Sequence, residues 1–196
     1  FHLINRYLSA VSPCIRNAGG FVCQYLGDGI MALFPGDGDS AIRGALEMQT
    51  AIKNLSTKIN LHGFTLRMGI GIHFGQLELG IIGETYRWDS SIISDAVNTA
   101  SRVEGLTKTF GAEILVTKSA LDCVPNHKGF QYRRLGKVEI KGRSEKVSLY
   151  EILDSLPPKA LELKNETRSL FEQSLTLYEA KEHEQAQALF ETILRA

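Results

Sequence analysis

The sequence of 196 residues carries no net charge, its 22 basic side chains matching 22 acidic ones. A neutral chain creates no long-range field, so neither nucleic acid nor an anionic membrane is an expected partner, although a local cluster can still hold a small anion. Cysteine is scarce: Cys14, Cys23 and Cys123 are odd in number and lack C-x-x-C spacing. That argues against a zinc site or a disulfide framework and for a reducing, cytoplasmic compartment. No apolar run approaches the roughly 20 residues of a membrane span, and no signal peptide is evident. The phosphate-binding pattern G-x-x-x-x-G-K-S/T is missing too, so the glycines at 69, 71, 75, 80 and 83 read as sheet and turn punctuation rather than a nucleotide cradle. The chain opens at Phe1 without a methionine and stops at Ala196 inside a helical pattern, as expected of a piece of a longer, soluble or membrane-attached, multidomain protein.

What is present is periodic. Leu3, Ile4, Tyr7, Leu8, Val11 and Ile15 predict a helix over 1–18, ended by Gly19-Gly20. Residues 21–26 and 30–34 predict a hairpin, and Ala41, Ile42, Ala45, Met48 and Ile52 a helix from Asp39 to about Leu55. The runs 64–74 and 76–83 read as strands joined near Gly75, 86–91 as a loop, and 92–108 as a helix. A short strand at 112–117 and a strand pair, 130–140 with 146–153, close the unit. Helices alternating with paired strands point to an α+β fold with helices covering a mainly antiparallel sheet. Pro157-Pro158 predicts a stiff linker over 154–164. Beyond it, Leu170, Leu175, Tyr178, Ala186, Phe190 and Leu194 are spaced as in a helical hairpin over 165–196 that resembles the first unit of a tetratricopeptide array. Such a repeat surface could take a protein partner; the alternative is a hairpin that packs on the preceding domain.

The stretch "QYLGDGIMALF", residues 24–34, poses the first chemical question. Asp-Gly between strand-like runs is a hairpin signal, because it tolerates the positive φ of tight turns. Asp28 is either a turn residue or a carboxylate held at a hairpin tip to bind a cation.

Four runs bear on that choice: "GGFVCQYLGDGIMALFP", "RMGIGIHFGQLELGIIGE", "RWDSSIISDAVNTASRVEGLTK" and "VEIKGRSEKVSLYEI". In this order and spacing they resemble the catalytic domain of the class III adenylate/guanylate cyclases, over residues 1 to about 153. The resemblance implies a ferredoxin-like, palm-type fold. It also implies conversion of a nucleoside triphosphate to a 3′,5′-cyclic mononucleotide plus pyrophosphate, with two divalent cations, Mg2+ or Mn2+. The G-G-D/E-E-F signature of the related diguanylate cyclases is absent.

Carried onto this sequence, the resemblance makes Asp28 one of two metal-binding carboxylates; the other would lie upstream of residue 1. Asn98 would orient the ribose, and Arg102 would stabilise the α-phosphate in the transition state, a task that suits a guanidinium fork. Their i, i+4 spacing puts them on one helix face; the plain alternative is an arginine paired with Asp95 or Glu104. Lys141 would contact the β- and γ-phosphates, with Arg143 as a possible helper. Gln24 and Ser91 stand at the two base-reading positions, where the family commonly has side chains of fixed donor or acceptor character. Both residues can donate and accept, which predicts weak base discrimination, tilted towards ATP by the likeness of Ser91 to threonine, with GTP or a pyrimidine nucleotide left open. Asp89 is expected to cap the loop before the helix, Trp88 to pack at a partner subunit, and His73 to be a strand residue. Because Asp28 and the Asn98–Arg102 helix belong to opposite halves of each family site, the resemblance implies a homodimer with two interfacial active sites. A catalytically degenerate homologue, signalling through nucleotide binding or dimer geometry, is the rival expectation.

Overall fold

The computed structural model describes residues 1–59, 65–125, 129–140 and 145–195, and of Arg87, Asp89, Ser90 and Ser91 the backbone only. A four-stranded sheet organises the molecule, in the order β3 (Ile70–Ile72), β6 (Ile114–Thr117), β8 (Val147–Ile152), β7 (Tyr132–Val138). β3 runs parallel to β6, whereas β6–β8 and β7–β8 are antiparallel. Two further pairs stand apart: the hairpin β1 (Phe21–Leu26) with β2 (Gly29–Leu33), and β4 (Glu78–Glu84) with β5 (Arg87–Ile93).

The strand periodicity of two sends β6 to two cores. Ile114 and Val116 meet Ile42 and Ala45 of α2 (Gly38–Lys58), while Leu115 points the other way, into a cluster with Val103 of α3 (Asp95–Phe110). A third cluster joins Val11 and Ile15 of α1 (His2–Asn17) to Met48 and Ile52 of α2 over the β1–β2 hairpin and residues 66–70. α2 begins where Asp37 accepts a hydrogen bond from the Ser40 amide (3.1 Å), satisfying one free donor of its first turn. The short α4 (Lys118–Leu121) follows β6.

Several sequence expectations need correction. Residues 86–91 are not a loop, since β5 spans 87–93 and pairs residue for residue with β4; cross-strand pairing overrides the weak strand propensity of Asp and Ser. The helix expected at 92–108 starts three residues later, at Asp95, because Ile92 and Ile93 are still strand. The strand expected over 64–74 is reduced among the described residues to 70–72, and it does not pair with β4. The linker expected over 154–164 is largely helix. Pro157 is the N-cap and Pro158 the first residue of α5 (Pro158–Glu166), where a proline's missing N–H and fixed φ fit the first turn. α6 (Arg168–Glu179) and α7 (His183–Arg195) complete the chain and pack together, with Phe171 and Phe190 edge to face at 5.7 Å and Ala186 buried between them. Tyr178 and Leu194 lie on these helices as expected and are 58% and 85% exposed.

Candidate active site

The tip of the β1–β2 hairpin answers the question about Asp28. Leu26 pairs with Gly29, leaving Gly27-Asp28 as a two-residue loop, and the positive φ (+66°) falls on Gly27 rather than on Asp28 or Gly29. Glycine at the first central position satisfies this kind of turn unaided. Asp28 therefore has ordinary backbone geometry, and the turn does not require it. Its side chain is exposed and makes no hydrogen bond or ion pair among the described residues. Cys23 is the extra residue of a bulge between Val22 and Gln24, and Gln24 is exposed on β1. The Tyr25 hydroxyl lies 3.2 Å from that of Ser12, tying the hairpin to α1. The Tyr7 phenol, also on α1, has its pKa raised by burial first, then by Asp28 and Glu104. A half-buried phenol thus feels a carboxylate from the hairpin and one from α3 together.

α3 is held at three points. Its N-cap is Ser94, whose Oγ accepts from the Ala96 amide at 2.9 Å and donates to the Gln76 carbonyl at 2.6 Å. Asp89, expected to cap this region, lies in β5 opposite Ile82. The far end closes on Gly111 in the left-handed region (φ +61°). Between them the helix lies against strand backbone: a Cβ on Gly71 would stand 2.3 Å from the Glu104 nitrogen and 2.5 Å from the Ala100 carbonyl. One on Gly69 would stand 2.2 Å from Thr107 Oγ1. These glycines are contact surfaces for α3, and the alternation G-x-G on one strand face was the sequence signal for it. Thr99, Val103 and Thr107 form the buried side, while Asn98 and Arg102 sit exposed on one outer face. Arg102 makes no side-chain hydrogen bond or ion pair among the described residues.

Ser91 stands on β5 opposite Gly80. Lys141 and Arg143 lie outside the described residues. His73, just past β3, has Nδ1 at 2.9 Å from Thr117 Oγ1 and 3.2 Å from Ser119 Oγ, so it stitches the ends of β3 and β6. No described hydrogen bond or ion pair joins Asp28 to Asn98 or Arg102 within one chain. As for cations, Asp28 offers a hard, exposed carboxylate of the right chemistry, but no group of three or more His, Cys, Asp or Glu gathers among the described residues. The chain fits as one contributor to a divalent-cation site that needs a further carboxylate.

The family model for the adenylate and guanylate cyclase catalytic domain matches residues 2–154. The chain belongs to this family. It is 42% identical over 159 residues to an adenylate cyclase of Anabaena cylindrica, covering 78% of this chain and 32% of that protein. It is 30% identical over 197 residues to a terminal-differentiation-specific adenylate cyclase of Dictyostelium discoideum, covering 96% of this chain and 9% of that protein. The chain therefore spans about a third or less of these relatives. Among solved structures, a bacterial light-regulated adenylyl cyclase superimposes with a TM-score of 0.69 at 26% identity, covering 85% of this chain and 49% of that one. The α+β, palm-type cyclase architecture is thus shared with known members. No helix among the described residues is long and apolar enough to cross a membrane.

Proposed function

We propose that this domain cyclises a nucleoside triphosphate, ATP in the first instance, to a 3′,5′-cyclic mononucleotide with release of pyrophosphate, as a homodimer with two sites across the interface. The observation that carries the reading is Arg102, exposed and without a side-chain partner among the described residues one helical turn after Asn98, on a helix pinned at its cap, its end and its glycine contacts. In the reaction the ribose 3′-oxygen forms a bond to the α-phosphorus and its proton passes to solvent. The bond from that phosphorus to the bridging oxygen breaks, and pyrophosphate leaves with the electron pair. The chain's task is in-line positioning and charge stabilisation rather than covalent catalysis. Asn98 orients the ribose by hydrogen bonding, Arg102 meets the charge growing on the α-phosphate oxygens, and Lys141 holds the outer phosphates. Asp28 would hold divalent cations, Mg2+ or Mn2+, which when bound acidify the attacking hydroxyl and neutralise the triphosphate. Gln24 and Ser91 face the base.

The homodimer is supported by the β4–β5 arm, where all seven residues of β4 are exposed, Ile81 and Trp88 by 73% and 66%. Apolar surface of this kind calls for a covering partner, and a second copy would bring Asp28 of one chain towards Arg102 of the other. Mixing two inactive variants tests this. Asp28→Ala and Arg102→Ala should each abolish cyclisation, while an equimolar mixture should regain about a quarter of parental activity, since half the dimers carry one intact site. A mixture as inactive as its components would overturn the shared site. No cyclic product from any of the four common nucleoside triphosphates would overturn the enzyme.

A further inference from the structure

The face of the sheet that supports α3 supports two other helices as well. Arg133 of β7 and Glu151 of β8 are direct cross-strand partners, and Glu151, two residues beyond Leu149, shares its face with that core residue. Glu151 is 1% exposed, although it is a carboxylate. Arg133 stands 3.8 Å from it, and Lys164 of α5 reaches its other oxygen at 2.5 Å. The Arg133 guanidinium lies over the ring of Phe171 from α6 at 4.2 Å, and its Nε finds no hydrogen-bond partner among the described residues. The π-face of Phe171 is thus part of what compensates a partly buried cation. Phe171 also packs against the cluster formed by Val103 of α3, Leu115, Leu135 and Leu149. Alongside, Arg134 pairs with Glu179 of α6 at 2.5 Å, and Leu175 of α6 lies 3.5 Å from where a Cβ on Gly136 would stand, at the β7 bulge.

A buried ion pair adds little net stability over an apolar pair of the same shape, yet losing one partner is costly. It therefore defines a seat more than it supplies adhesion. This seat joins three things: the helices α5 and α6, the strand pair β7–β8, and the core behind Arg102. The likeness to the Dictyostelium relative covers 96% of this chain, so it runs past residue 154 into these helices.

We propose that α5 and α6 are a clamp on the catalytic unit, seated by buried Glu151 with its partly buried partner Arg133 and by Phe171, and that this seating sets the position of α3 and with it the rate of the chemical step. The rate part rests on the cyclase reading; the positional part does not. Arg133, Glu151 and Phe171 act here as positioning residues. Any signal that reaches α7, from a protein partner or a neighbouring domain, then has a mechanical path to the active site.

The test uses the intact protein carrying Phe171→Leu, Lys164→Met or Phe171→Tyr. The first removes the ring but keeps apolar bulk, the second removes the ammonium, and the third restores a π-face. Amide hydrogen exchange across α3 should rise roughly tenfold in Phe171→Leu, less in Lys164→Met, and return to the parental rate in Phe171→Tyr. For turnover, kcat should fall about fivefold to tenfold in Phe171→Leu with KM changed less than about twofold, because substrate contacts are untouched. Unchanged α3 exchange in folded Phe171→Leu and Lys164→Met would overturn the clamp, as would loss of exchange protection confined to α5–α7. Failure of the parent to cyclise any nucleotide would refute the cyclase reading and leave the exchange measurement to decide the clamp. Were Phe171→Leu unfolded, Lys164→Met would carry the same two measurements.

Discussion

Several charged side chains of this protein are engaged by neighbours on their own helix: Arg43 with Asp39, Lys118 with Asp122, Arg168 with Glu172. Exposed pairs of this kind contribute little to stability. Arg102 and Asp28 differ in having no such side-chain partner among the described residues. Removing either should spare the fold. We expect Arg102→Ala to unfold in urea within about 0.5 kcal/mol of the parent, while cyclisation falls about 10²–10³-fold. A large stability loss would make Arg102 structural. That Asp28, Asn98 and Arg102 are the candidates to test came from the family resemblance, since residue type and spacing alone left a turn residue and a helix-surface pair as alternatives. That Asp28 is dispensable for its turn was not legible in the sequence, because an Asp-Gly sequence permits more than one turn, and the register Leu26–Gly29 selects the one with positive φ at Gly27.

At the scale of elements, placement of α3 depends on absent side chains. Gly71→Ala would force a methyl group to within 2.3 Å of the Glu104 nitrogen, and backbone cannot yield as a flexible side chain does. The substitution should cost about 1–3 kcal/mol, measured by denaturant unfolding, and should lower turnover by shifting Asn98 and Arg102 together. Parental stability and turnover would show the contact to be slack. The existence of α3 was readable from its apolar stripe. Its start was not, since β5 continues to Ile93 by pairing with Glu78, a contact fifteen residues away in sequence. The same holds for α5. A Pro-Pro pair reads as a break, but the second proline suits the first helical turn once Lys164 has Glu151 to meet.

For the whole molecule, the exposed arm is the feature that a lone chain leaves unresolved. A two-stranded ribbon is marginal by itself, and this one presents Leu79, Ile81, Ile82, Trp88 and Ile93 to solvent. Ile81→Lys should convert the proposed dimer to monomer in sedimentation velocity, with activity lost in proportion; an unaltered dimer would place the interface elsewhere. The sequence by itself determined the family, the α+β class and the hairpin turn at Gly27-Asp28, because those depend on local spacing and residue chemistry. Only the tertiary structure decided that Gly69 and Gly71 seat α3, that residues 87–93 are strand, and that the C-terminal helices grip the catalytic sheet through Arg133, Glu151 and Phe171. Those features arise from close approach and shared burial between distant segments, which local spacing does not encode.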